Sequence, residues 1–474
     1  MHTRIRNRIF LIVPLYLLIL TSHSFANSLP VYWQGYPSFE VLTLDSNSPI
    51  EVKHEHLIFD ISEFDKLEHT ITGRVTATYE MFNPTDENLT VQMAFPFISK
   101  VYNFSKEDIS ISAGNENIPF DIFLGEPVGS YGAAVDQEDI SFDFSEVASA
   151  ITAGPYHGKN FSETDEGILY TFEVVPENNE MVYFSVGLDE IDINRTKIVT
   201  DGFNSIEAGQ NYIKVSGWCH EKTGFEIFVL GSDADFRIEG YTDGSHKQKT
   251  DNFTYTIFRK TLNVKVFIED MVEKERAESD IINSTGIDMS QIYRMYISAM
   301  DEALSANSFI TYNDLAGEFY VNRLIILLYN VQFPASSGKT VSVGYKALGT
   351  MDSRNTGSPL YTFSYLLTPA KYWAAFNNLD IEIITPSQAP HIVQSNIELE
   401  KTSPGHYTAS LASLPEKDLY FTIHADSKIN IQNRAYSYRA IHGVLSNPLV
   451  LVALMLVLFL LATFAVISIY RAKK

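Results

Sequence analysis

Ile71-Thr-Gly-Arg-Val-Thr-Ala-Thr-Tyr79, with Asn83-Pro84-Thr85-Asp86-Glu87-Asn88-Leu89 and Ala94-Phe95-Pro96-Phe97 behind it, decides how this chain is read. Polar and apolar residues alternate, β-branched and aromatic types dominate, and a turn rich in Asn and Pro interrupts them. Such a pattern specifies two half-buried strands. It predicts a hairpin, in which Asn83-Pro84-Thr85-Asp86 reverses the chain and Pro96, lacking an N–H, ends the pairing.

Runs of the same kind extend outward. Glu51 to Asp60 precedes the stretch, and Ile168 to Val175, Glu180 to Val186, Tyr212 to Ser216, Phe225 to Leu230, Phe253 to Arg259 and Leu262 to Ile268 follow it. Short strands separated by turn residues favour a sandwich over a parallel α/β sheet. Residues 27–268 therefore read as an N-terminal β-sandwich domain.

The texture changes over 269–335. Ile292, Met295, Tyr296, Ala299, Met300, Ala303 and Leu304 recur at helical spacing. Thr311-x-x-Asp314 predicts a capping box for a second helix running toward Tyr329. From 336 to 432 strands return as a second β domain. The expected fold class is mainly β, with two β-sandwich-like domains, an intervening helical segment and one C-terminal transmembrane helix.

That last helix is expected at 448–470, after a linker at 433–447, because the run from Leu449 to Tyr470 is uncharged and Arg471, Lys473 and Lys474 follow it. Residues 471–474 would be the cytoplasmic tail. At the other end, Arg4, Arg6 and Arg8 precede an apolar run and Ser24-Phe25-Ala26, which reads as a signal peptide over 1–26. The expected location is a cell membrane, with a large extracytoplasmic part.

All 58 acidic residues fall between these ends, whereas six of the 35 Lys and Arg flank them, so the intervening part carries a net charge of −29. A surface of that sign repels nucleic acid, whose binding needs cations on phosphate. Cys219 is the sole cysteine, so no intrachain disulfide can form, and a bacterial envelope fits better than a disulfide-stapled ectodomain. In Trp218-Cys219-His220 it reads as a buried thiol.

Chemistry-bearing candidates are few. His54 and His56 share one face of a strand and could chelate a metal, although spacing identifies no third ligand. Asp136, Glu138, Asp139, Asp143 and Glu146 gather in one stretch whose oxygens could hold Ca²⁺, without the EF-hand spacing. Ile292, Met295, Tyr296 and Met300 form a stripe that could dock a partner or pack against the sandwich. Tyr361-Thr-Phe-Ser-Tyr365 puts three aromatic rings on one strand face. No cofactor is identified. Ser336-x-x-Lys339 and Lys222-Thr223-Gly224 spell penicillin-binding-protein elements in reversed order and carry no argument.

Residues 71–113 resemble the opening of a VIT domain (vault and inter-alpha-trypsin inhibitor type), which runs strand, Asn-Pro-Thr turn, strand, Phe-Pro, and then a strand like Ile109-Ser-Ile-Ser-Ala113. The resemblance implies a β-sandwich recognition module without catalytic residues. Asp108-Ile-Ser110-Ile-Ser112 has the letters of the metal site in the von Willebrand A domains that often follow such modules. No apolar strand precedes it, so that adhesion chemistry is not carried over. The remainder looks like a bacterial membrane-anchored extracytoplasmic protein. The expected function is non-catalytic binding or an accessory role, with a membrane protein or envelope polymer as partner. The alternative is a membrane-tethered hydrolase of wall glycan or peptide, which would show two carboxylates in a cleft.

Overall fold

The computed structural model describes residues 31–128 and 144–430, apart from positions 46, 64, 65, 68, 153, 155, 179, 193, 194, 232 and 233. The strand Thr70–Asn83 buries Ile71, Val75, Ala77, Tyr79 and Met81 on one face, as its alternation requires. It lies within a ten-stranded sheet, between Glu51–Asp60 and Ser337–Leu348, with Tyr79 opposite Glu55 on one side and Val341 on the other. Glu51–Asp60 pairs in turn, in parallel, with Leu379–Ile384.

Two smaller sheets cover the buried face. A six-stranded sheet containing Leu360–Leu366 and Leu419–His424 lies over one part. There Phe59 meets Tyr365 edge-on at 6.0 Å and Phe421 at 5.1 Å. A four-stranded sheet containing Leu89–Lys100 and Asn322–Phe333 lies over another, where the rings of Phe95 and Tyr345 are 4.7 Å apart. Each such ring pair adds roughly 0.5–1.5 kcal/mol beyond the area it buries.

The division into two successive sandwiches does not hold. Strands assigned to separate domains by their position in sequence, 51–60 and 379–384, or 70–83 and 337–348, are neighbours in one sheet. Alternation tells which face a strand buries and says nothing about its neighbour. The predicted membrane helix 448–470, its linker and tail, and the signal peptide lie outside the described residues. Among the described residues no helix is long and apolar enough to cross a membrane. The fold class is corrected accordingly: mainly β in several interleaved sheets, with no membrane-spanning helix in the described part.

The predicted hairpin is an arch. Thr70–Asn83 and Leu89–Lys100 belong to facing sheets and do not pair. Asn83, fully buried, fastens the crossing. Its amide donates to the carbonyls of Glu87 (2.8 Å), Pro334 (3.0 Å) and Phe333 (3.4 Å), and its oxygen accepts from the N–H and hydroxyl of Thr85. The return crossing between Phe333 and Ser337 runs alongside, tied by the Ser336 N–H to the Thr85 carbonyl at 2.7 Å. Pro96 sits inside its strand opposite Ile326. The flanking strand Leu42–Thr43 reaches only Met93 and Ala94, so this position is an edge where a missing N–H is tolerated.

A second sandwich is inserted between these strands. Its five-stranded sheet runs in the order Phe253–Asn263, Glu166–Pro176, Thr223–Leu230, Lys197–Asp201, Phe309–Thr311. A four-stranded sheet with Val182–Asp189 and Tyr212–Cys219 faces it across Phe172, Phe184, Val215, Phe225 and Ile227. Helices Val264–Glu278 and Met289–Asn307 fill the space between the insert and the main body, and Phe267 stacks on Phe228 at 3.9 Å. The expected strand Leu262 to Ile268 is divided: Asn263 ends one strand and caps a helix by accepting from the Val266 N–H.

The capping box at Thr311 and Asp314 forms as expected, but its helix covers only Tyr312–Ala316. The expected continuation toward Tyr329 is the strand Asn322–Phe333. It is buried on both faces, by the ten-stranded sheet and by a cluster with Val147 of the helix Phe144–Thr152. A short continuous apolar run gives no period by which to separate strand from helix.

Candidate functional site

His54-Glu55-His56 is split by strand alternation. Both histidines face outward and meet carboxylates of the 379–384 strand: His54 Nε2 lies 2.8 Å from Asp380 Oδ2, and His56 Nε2 3.7 Å from Glu382 Oε2. His406 approaches Glu382 from the next strand at 3.8 Å. The Ser410 hydroxyl, and after it His54, hold the Asp380 carboxyl below its ordinary range. This row of partly exposed pairs gives each histidine a carboxylate partner. Among the described residues no three His, Cys, Asp or Glu converge closely enough to hold a metal ion.

Glu55 points the other way and meets Glu40. Both are wholly buried. Glu40 belongs to the segment that passes from the six-stranded to the four-stranded sheet, and its Oε1 accepts the Val41 N–H at 3.2 Å. The hydroxyls of Tyr79 and Tyr365, themselves 3.4 Å apart, act on the Glu40 carboxyl together with Glu55 and the Val41 N–H, whereas the neighbour acting on Glu55 is Glu40. Burial raises both carboxyls well above the ordinary carboxylate range, and for Glu55 the neighbouring Glu40 adds to it. A hydrolase needs its carboxylates where substrate reaches them. These two are sealed between sheets and give that alternative no support.

The proposed docking stripe is occupied. Ile292, Met295, Tyr296 and Met300 are each at most 4% exposed and belong to the main core, with Tyr296 against Phe319 at 5.8 Å. That expectation is corrected: the helix packs against its own chain, as apolar stripes usually do. Beside them buried Asp301 secures the 156–160 segment, accepting from the Tyr156 hydroxyl, the Lys159 N–H at 2.6 Å and the Asn160 N–H at 3.0 Å. Tyr361, Phe363 and Tyr365 are core residues too. Asp136, Glu138, Asp139 and Asp143 lie outside the described residues.

Concavities offer little chemistry. One of about 160 Å³ lies between Phe228, Phe267 and Lys274, whose ammonium is held by Asp201. An open trough of about 560 Å³ runs past Lys106, Arg276 and Gln291. Its cations are engaged, Lys106 over the Phe120 ring and Arg276 with Asn283.

The surface that stands out is one the sequence reading passed over. Among the described residues, Phe253–Asn263 pairs only with Glu166–Pro176, in unbroken register from Phe253 opposite Pro176 to Asn263 opposite Glu166. Residues 254–261 are exposed, including Tyr255 at 46%, Ile257 at 39% and Phe258 at 53%. Val175 on the adjoining strand and nearby Met181 add 40% and 43%. Half of the large apolar side chains left open in the described structure thus cluster at one sheet edge. Natural proteins normally shorten, charge or cover such an edge. Arg259 reaches over the Tyr170 ring and Lys260 toward Asp270, and no carboxylate occurs within the strand. Its sequence signal was an apolar and aromatic residue at both strand parities: Tyr255 and Ile257 on one face, Phe258 on the other.

No family model and no curated protein matches the chain. Among solved structures, a candidate nutrient binding protein of Legionella pneumophila is similar over 83% of this chain and 73% of its own, with 9% identity and a TM-score of 0.30. A likeness of that size carries no argument.

Proposed function

We propose that this chain is a non-catalytic binding protein working outside the cytoplasm, and that it takes up an extended polypeptide at the free edge of the 253–263 strand. The observation that carries the reading is that edge: eleven residues long, paired on one side, with apolar side chains exposed on both faces. Strand addition uses those features, main-chain hydrogen bonds supplying affinity and alternate side chains specificity. The leader-like sequence 1–26 supports a location outside the cytoplasm.

A photo-crosslinking residue placed at Thr256 of the full-length chain in its host cells tests this, with Lys417, an exposed loop position, as control. A polypeptide adduct at Thr256 well above the Lys417 level is expected. Equal, background labelling at the two positions would remove the reading.

A further inference from the structure

We infer that the strand taken up at this edge is the 253–263 strand of a second copy of the chain, paired antiparallel about a two-fold axis. The inference rests on the strand-addition reading and names its partner. Three features favour it.

The first is register. Centring the axis on Ile257 sets Phe258 opposite Thr256 of the second copy, Lys260 opposite Thr254, and Arg259 opposite the ring of Tyr255. Every cation then faces a neutral residue, and Arg259, which already lies over Tyr170 of its own copy, has a second aromatic ring opposite it. Ile257 packs on its own copy at the centre.

The second is area. Tyr255, Ile257, Phe258, Val175 and Met181 together expose roughly 400 Å², taking about 200 Å² for each whole side chain. That is about half of the ~800 Å² per partner that a stable interface needs. The neighbouring threonines and the stems of Arg259 and Lys260 can supply much of the remainder.

The third is charge and closure. A chain with a formal net charge of −23 repels its copies, and along the exposed 253–263 strand, which carries no carboxylate, that repulsion is weakened. The opposite edge of the same sheet is the three-residue strand Phe309–Thr311. A joined ten-stranded sheet therefore ends in short strands on both sides, which makes the pairing a closed dimer and not a growing fibre.

Cys219 is buried and is the sole cysteine, so Ile257→Cys places one accessible thiol on the proposed axis. Under mild oxidation the full-length Ile257→Cys protein is expected to form a disulfide-linked dimer. Unsubstituted protein should sediment as a dimer that strengthens with salt, and a folded Ile257→Lys, Phe258→Lys variant as a monomer. Monomeric sedimentation at micromolar concentration, with no disulfide from Ile257→Cys, would overturn the inference. In that case, a Thr256 adduct to a different polypeptide would leave the strand-addition reading standing. No adduct to any polypeptide would remove both.

Discussion

Glu40 and Glu55 face one another in the middle of the main core, both wholly buried, with tyrosine hydroxyls as their surroundings. Two carboxylates cannot both be charged at such a spot, so folding must keep at least one proton there. Burial lifts Glu40 from 4.5 to about 7, and burial together with the neighbouring Glu40 holds Glu55 well above the ordinary carboxylate range. The sign follows. Between the two values the folded chain holds a proton that the unfolded chain has released, so the contribution is complete below pH ~4.5 and lost as pH climbs through about 7.

For Glu40 alone that loss is about 3 kcal/mol. Urea midpoints should accordingly fall between pH 5 and pH 8. Glu55→Gln, which replaces an ionisable group by a neutral amide, should flatten the dependence and exceed the parent in stability at pH 8. A parent midpoint that is level across this range would refute the shared-proton account.

Asn83→Ala should be costly. It orphans three carbonyls and the Thr85 donors at a fully buried crossing, for an expected loss of about 2–4 kcal/mol in chemical denaturation. A loss below ~0.5 kcal/mol would mean that backbone contacts alone hold the two arches together.

Asp301 makes the opposite pH prediction to the glutamates. Burial alone would raise its carboxyl, but donors from Tyr156, Lys159 and Asn160 bring it below its ordinary value of 3.8. Its contribution is present above that pH and disappears as pH falls through the folded value. Asp301→Asn should expose the 156–160 segment to limited proteolysis at pH 7 while making little difference in strong acid. Unchanged cleavage at pH 7 would show that the segment is held by other contacts.

His54→Ala is expected to cost less than ~1 kcal/mol, as for other partly exposed ion pairs, and Zn²⁺ should not raise the melting temperature of the parent. A clear Zn²⁺-dependent rise abolished by His54→Ala would show that the outward row binds metal.

Cys219 should resist thiol reagents in the folded protein. It is buried in the inserted sandwich, and burial pushes its thiol up to about 11. Labelling at pH 7.5 should follow unfolding and accelerate sharply near the urea midpoint. Rapid labelling in buffer would place Cys219 near the surface.

Much of the strand inventory was legible. Alternation at Glu51–Asp60 and Thr70–Asn83 marks which side chains face inward, and Thr311 with Asp314 marks a helix start. What stayed hidden is pairing. Asn83-Pro84-Thr85 announces a turn in either a hairpin or an arch, and only the carbonyls of Phe333 and Pro334, far along the chain, decide between them. His54 and His56 similarly reveal their shared face but not Asp380 or Glu382. The open edge at Tyr255, Ile257 and Phe258 was missed because an exposed edge strand carries the same residues as a buried one. Its neighbours make the difference.

The pairing of Glu51–Asp60 with Leu379–Ile384 also sets an order of events during synthesis. His54 leaves the ribosome 326 positions ahead of Asp380, and until that partner emerges one side of its strand is unpaired. The inserted sandwich closes almost entirely on its own sequence between Glu166 and Asn263 and can fold during the interval. The nascent chain therefore passes through a stage with a finished inner module and an unfinished outer one, when its apolar strands are open to aggregation. Slowing elongation after Asn263 should lengthen that exposure, and it is the stage at which a chaperone would have the most to hold.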